Sequence, residues 1–204
     1  MSNYNRKNKK KKSCCFSPGL IIFLVLITAT CIFICTGVIS NLKDSVKKQI
    51  YPLEYKEEIL YLADKYEFEP EFICAVIHTE SKFDPEAESP VGAKGLMQIM
   101  PDTFEWLSNL KGEEHIPENI AVPNVNMEYG VYFLRFLTDR YSDPYTACAA
   151  YNAGLTNVDN WLEDSAYSSD GHTLSVIPYE ETKNYVERIK DAEVVYKELY
   201  FSYE

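Results

Sequence analysis

The sequence predicts an all-α body, predominantly helical with little or no sheet, preceded by one transmembrane helix. Three observations carry this expectation. Apolar residues in the body recur at three- and four-residue spacing, the period of a half-buried helix rather than of a strand. Proline and glycine fall mainly between the periodic stretches, where helix punctuation needs them. Upstream, no charged residue occurs from Ser13 to Leu42, and Leu20 to Ile39 gives twenty predominantly apolar positions. That is the length of a helix crossing a hydrocarbon core.

The elements follow in order. Residues 1–19 form a basic head carrying Arg6, Lys7, Lys9, Lys10, Lys11 and Lys12. More positive charge precedes the apolar run than follows it, so the amino terminus faces the cytoplasm and the body lies outside. Residues 20–40 are expected to be a retained anchor, because no clean small-x-small cleavage site follows Ile39. A short polar tether over 41–53 reaches at most about 30 Å when extended. The body, 54–204, is expected to carry helices over Glu54 to Phe68, Pro70 to Ser81, Pro101 to Leu110, Val125 to Tyr141, Pro144 to Ala153, Val158 to Leu162 and Glu180 to Phe201. No repeat of 20 to 50 residues is present.

Charge and cysteine usage narrow the function. All 31 acids lie beyond Lys43, against 14 basic residues outside the head, so the body carries about -17. Such a surface repels phosphate backbones and argues against nucleic acid as a partner. Sixteen Tyr and ten Phe supply aromatics for a core and a groove. Cys14, Cys15, Cys31 and Cys35 fall in or beside the apolar run, leaving Cys74 and Cys148 for the body, either bridged or as two buried thiols. Cys74 and His78 can share a helix face, with His115, Cys148 or His172 nearby as further metal ligands. No paired Cys-x-x-Cys or His-Glu-x-x-His supports that reading, so no metal and no cofactor is expected.

The chemistry concentrates after the second helix. Ile73, Val76 and Ile77 form an apolar stripe whose next position is Glu80. An acid among apolar neighbours prefers its neutral form, as a general acid working near pH 7 must. A carboxylate at a fraying helix end, open to water, is the plainer alternative. Beyond it, Ser89 to Pro101 passes two glycines and then sets Gln98 among Leu96, Met97, Ile99 and Met100. That is an apolar wall with one polar fixture, the composition of a binding surface. Asp84, followed by Pro85, reads as an ordinary turn residue.

The stretch Glu80 to Pro101, Glu-Ser-x-Phe-Asp-Pro-x-Ala-x-Ser-x-x-Gly-Ala-x-Gly-Leu-Met-Gln-Ile-Met-Pro, resembles the signature of the soluble lytic transglycosylase domain, in the superfamily of goose-type lysozyme. Ala149 to Gly154, with Val158 and Trp161 beyond, is similar to that family's second motif, and Ile177 to Val186 to its third, with Lys183 where Arg is commoner. The resemblance implies a lysozyme-like fold and one catalytic acid, Glu80. It also implies a glycan groove lined by Ser89, Met97, Gln98, Tyr151, Asn152, Glu181 and Tyr185. The implied substrate is peptidoglycan, cut between N-acetylmuramic acid and N-acetylglucosamine to leave 1,6-anhydro ends, with the sugar's acetamido oxygen standing in for a second carboxylate. A hydrolytic muramidase using the same acid and a non-catalytic glycan-binding module remain the alternatives. Tyr167 to Thr173 is assigned neither as lid nor as connector.

Overall fold

In the computed structural model, the described residues are 26, 33, 34 and 42–202. The predicted span, the basic head and the four cysteines near them therefore lie, apart from residues 26, 33 and 34, outside the described residues. Among the described residues no helix is long and apolar enough to cross a membrane. Within the tether expected over 41–53, residues 42–50 are helical. At about 1.5 Å per residue such a segment is far shorter than the extended chain.

The body contains seven α-helices among its described residues: α1 (Lys56–Tyr66), α2 (Pro70–Ser81), α3 (Pro101–Lys111), α4 (Pro123–Tyr141), α5 (Pro144–Ala153), α6 (Leu155–Glu163) and α7 (Glu180–Tyr196). A 3-10 turn, Pro117–Ala121, precedes α4, and a π-helical turn, Lys197–Phe201, follows α7. Proline opens α2, α3, α4 and α5, where its missing N–H has no intrahelical partner to lose and its φ is already helical. Asp143 caps α5 by accepting from the Thr146 N–H at 2.7 Å. Among the described residues, extended structure is limited to two isolated bridges, Glu88 with Lys94 and Lys94 with Ile99.

α2 is the centre of the core. Ile73, Cys74, Ala75, Val76 and Ile77 are all fully buried, so this helix is apolar on every side rather than along one stripe. It packs chiefly against α7, while α5 lies against α4, α6 and α7. Cys74 and Cys148 are both buried free thiols rather than a disulfide. At the other end of α2, buried Glu71 accepts from Lys197 Nζ at 2.9 Å. Tyr196 and Tyr200 donate their hydroxyls to the carbonyls of Pro52 and Tyr51 at 2.9 and 2.8 Å, so the last turn clasps the first residues of the body.

Asn126, fully buried in the first turn of α4, organises the loop between α2 and α3. Its Oδ1 accepts the Met97 N–H at 2.7 Å, and its Nδ2 donates to the carbonyls of Lys94 and Ile120, each at 2.9 Å. One helical turn on, Gly130 leaves room for Met97: a Cβ there would lie 2.7 Å from Met97 Cβ and closer still to its Sδ.

Replacing Asn126 by Ala strands two buried backbone groups, the Met97 N–H and the Ile120 carbonyl, since the Lys94 carbonyl keeps the Ile99 N–H, and is expected to destabilise the protein by roughly 2 kcal/mol or more. A thermal melt within about 0.5 kcal/mol of wild type would show that this side chain does not hold the loop.

Candidate active site

Glu80 lies in the last turn of α2. Two consecutive residues in the left-handed region, Lys82 at φ 55° and Phe83 at φ 68°, stop the helix just beyond it. They turn the chain so that Phe83 is buried in the core. Ser81 Oγ donates to the carbonyl of Leu96 at 2.9 Å and thereby ties the helix end to the following loop. The acid is thus fixed where α2, α7 and the loop meet.

Part of Glu80 remains accessible, yet the protein packed about its carboxyl raises the pKa to about 7. Desolvation is the larger cause; the Tyr185 hydrogen bond and the Arg188 charge oppose it without cancelling it. The negative end of the helix dipole disfavours a carboxylate in the same sense. Buried Tyr185 donates its hydroxyl to Glu80 Oε1 at 2.6 Å. Tyr151, whose own ionisation is pushed up by burial and by the charge of Glu80, lies close to the same acid. Its hydroxyl donates to the carbonyl of Met97 at 2.7 Å.

The remaining predicted site residues are placed differently from one another. Gln98, held at φ 46°, spends its amide nitrogen on the carbonyls of Ala87 and Gly95, at 3.0 and 2.9 Å. Its amide oxygen takes no donor among the described residues and is the group it can present to a ligand. Asn152 is exposed and accepts from Thr182 Oγ1 at 2.8 Å, which leaves its NH2 as a donor on the surface. Ser89 Oγ accepts the Ala93 N–H at 3.0 Å inside the glycine turn. Glu181 is exposed on the first turn of α7, with no hydrogen bond or ion pair to the other site residues. Met97 departs from the expectation of a groove-lining side chain: it is fully buried against Gly130, and its backbone N–H and carbonyl are held by Asn126 and Tyr151.

Sequence reasoning missed Asn126 and Gly130. The available signal was an amide between the apolar residues Val125 and Met127, and a glycine in a helix interior where its conformational cost needs a packing reason. Among the described residues no three His, Cys, Asp or Glu side chains gather as metal ligands would.

The body is thus predominantly helical and holds one desolvated acid beside two helix-borne tyrosines and an amide-bearing loop. The family model "Transglycosylase SLT domain" matches residues 57–173, more than half of the chain, and the chain belongs to that family. Tyr185 and Glu181 lie beyond the matched residues. The soluble lytic murein transglycosylase of Salmonella typhimurium is 30% identical over 151 residues, covering 72% of this chain and 23% of that protein. A transglycosylase of Enterobacteria phage PRD1 is 38% identical over 109 residues, covering 53% of this chain and 38% of its own length. Among solved structures, an inactive Glu-to-Gln mutant of the lytic transglycosylase Slt from Pseudomonas aeruginosa superimposes with a TM-score of 0.64 at 29% identity. It is covered over 24% of its length, by 72% of this chain. The 70 kDa soluble lytic transglycosylase of Escherichia coli gives 0.67 at 27% identity, covering 78% of this chain and 26% of that one. The chain therefore spans well under half the length of these relatives.

A carboxyl held neutral by burial makes folding pH-dependent. Because the folded pKa of Glu80, about 7, lies above the unfolded value near 4.5, the folded state binds the extra proton between those limits. Stability therefore falls as pH rises through that window. Glu80→Gln is expected to stabilise the protein by roughly 2 kcal/mol at pH 8, after allowance for partial solvent access, and by little below pH 4.5. Equal wild-type and variant melting temperatures across that range would contradict the burial of the acid.

Proposed function

We propose that this chain is a peptidoglycan lytic transglycosylase that cuts the β-1,4 bond between N-acetylmuramic acid and N-acetylglucosamine without water. The observation that carries this reading is Glu80, set in protein that raises its pKa to about 7 and hydrogen-bonded by Tyr185. Membership of the transglycosylase SLT family supports it. The inactive Pseudomonas relative carries a Glu-to-Gln exchange, the change expected to silence Glu80 here. The apolar run Leu20 to Ile39 supports a single-pass anchor in a bacterial membrane, with the body outside.

In the first step neutral Glu80 gives its proton to the glycosidic oxygen, and N-acetylglucosamine leaves as an alcohol. The acetamido oxygen of muramic acid closes on carbon 1 and disperses its positive charge as an oxazolinium. In the second step ionised Glu80 takes the proton of the 6-hydroxyl, whose oxygen attacks carbon 1 and reopens the oxazolinium. The product is the 1,6-anhydro ring, and Glu80 regains the proton it gave.

Tyr185 favours the carboxylate by hydrogen bonding, which suits the moment after proton donation. Gln98 Oε1 and the Asn152 NH2 are placed to orient acetamide and hydroxyl groups, and their hydrogen bonds to the fold fix their rotamers in advance. Tyr151 acts through Met97, because its hydroxyl hydrogen is committed to that carbonyl.

The test is digestion of purified sacculi by the full chain in neutral detergent micelles, with the new ends weighed by mass spectrometry. Anhydro ends, one water lighter than reducing ends, are expected, and Glu80→Gln is expected to lose at least about 100-fold in rate. Reducing ends would make the enzyme a hydrolase. Retained cleavage by the Gln variant would remove Glu80 from the mechanism, and no cleavage by the wild type would leave a binding module.

The pH profile provides a separate check. Activity is expected to fall as pH rises through about 7 and Glu80 loses its proton. Tyr185→Phe removes a hydrogen bond that favours the carboxylate, so this limb should move to higher pH. A limb that stays in place, or moves down, would show that Tyr185 does not act on the acid.

A further inference from the structure

Beside the acid, where α2 runs along α7, lies a cavity of about 410 Å³ lined by Tyr51, His78, Thr79, Lys82, Arg188 and Asp191. Nothing in the mechanism above uses it. In its wall, His78 Nδ1 and Thr79 Oγ1 are covered by neighbouring protein and have no hydrogen-bond partner among the described residues. Buried polar atoms are nearly always paired, because the loss of water is otherwise uncompensated, so these two are spare groups that a side-chain rotation turns towards a ligand in the cavity.

The other groups say what kind. Lys82 and Arg188 are exposed and form no ion pair among the described residues. Asp191 supplies the opposing charge, which leaves the cavity with one net positive charge on an otherwise acidic body. His78 stays neutral, since burial and the Lys82 charge both lower its pKa. It therefore offers a hydrogen bond without changing the charge.

The walls are built. The Tyr51 ring stacks on His78 with centroids 4.5 Å apart and planes at 24°. Tyr51 is in turn held by the Tyr200 hydroxyl on its carbonyl and by the edge of Tyr196 at 5.7 Å. Position ties the cavity to the reaction: Thr79 precedes Glu80 on α2, and the Arg188 charge acts on Glu80 itself.

We propose that this cavity binds a carboxylate of the peptide that muramic acid carries, paired by Lys82 and Arg188 and hydrogen-bonded by Thr79 and His78. The inference rests on the reading of Glu80 as the acid acting on peptidoglycan. Muramic acid bears, through its lactyl ether, a short peptide with free carboxylates, whereas N-acetylglucosamine bears no charge. A cationic cavity next to the acid thus distinguishes the two sugars flanking the scissile bond by charge and sets the glycan's polarity across the site. Charge-assisted hydrogen bonds to a carboxylate give such a site its strength.

Calorimetry on the full chain in neutral detergent micelles tests this with two ligands: an N-acetylmuramoyl peptide with free carboxylates, and the same compound with every carboxylate amidated. The acid form is expected to bind about tenfold tighter than the amide, and a Lys82→Gln/Arg188→Gln double variant to reduce that preference to about twofold or less. Unchanged binding of an uncharged chito-oligosaccharide by the variant shows that its groove is intact. No preference in the wild type, or a preference that survives in the variant, overturns the proposal. So does binding of anionic phospholipid vesicles, rather than of the muramoyl peptide, that depends on Lys82 and Arg188. Cleavage of peptide-free glycan strands is scored alongside: retained cleavage without carboxylate preference removes the cavity alone, and absent cleavage by wild type removes the functional reading beneath it.

Discussion

The contact on which the rest of the molecule depends is the burial of one carboxyl at the junction of α2 and α7. Three influences meet on Glu80. Loss of water favours the neutral acid, while the Tyr185 hydroxyl and the Arg188 charge favour the anion. The first wins, but by a margin that leaves the proton available rather than locked in place. The margin has a source in the fold. α2 is wrapped in protein on all sides and supplies the low-dielectric surroundings, and the turn at Lys82 and Phe83 stops the helix one residue after the acid's neighbour Ser81. A longer helix would carry the chain away from α7; a shorter one would leave the carboxyl in water.

Around this contact, many of the polar side chains hold backbone. Asn126 pins Met97 and Lys94, Tyr151 pins Met97 from the other side, Ser81 reaches Leu96, and Gln98 uses its nitrogen on Ala87 and Gly95. The loop between α2 and α3 is therefore fixed by side chains from α2, α4 and α5 at once. Gln98 sits in the left-handed region, a conformation a non-glycine residue keeps only when its surroundings over-determine it. The hydrogen bonds that over-determine it also orient its free oxygen. Rigidity gained this way lowers the cost of ordering a flexible sugar chain.

Much of this was legible in the sequence, for local reasons. At Glu80 the helical period set an acid where a core residue belongs but left an exposed helix end as the plainer reading, and the motif from Glu80 to Pro101 pointed to the acid. The proline-opened helices α2, α3 and α5 start where expected for the same reason that proline suits a first turn. The misreadings are those where the deciding partner is distant or the signal weak. α6 begins at Leu155, directly after Gly154 at φ 86°, because that one glycine suffices to reverse the chain where a longer gap was expected. α1 starts at Lys56 rather than Glu54 because Tyr55 is left-handed. The Pro117–Ala121 turn is too short to show a period. Met97 faces inward because Gly130, far along the chain, leaves a hollow for it, and no motif position states that. The helical state of 42–50 was hidden by its polar composition, which reads equally as coil.

The clasp formed by Tyr196 and Tyr200 on residues 51 and 52 has a mechanical meaning. Entry and exit of the body are buttoned to each other, so a pull on residue 51 is shared with the chain beyond α7 instead of peeling α1 from its bed. The final turn thus acts as a strain relief. Clipping the chain after Tyr196 removes the Tyr200 hold on Tyr51, and with it the brace that keeps that ring seated on His78.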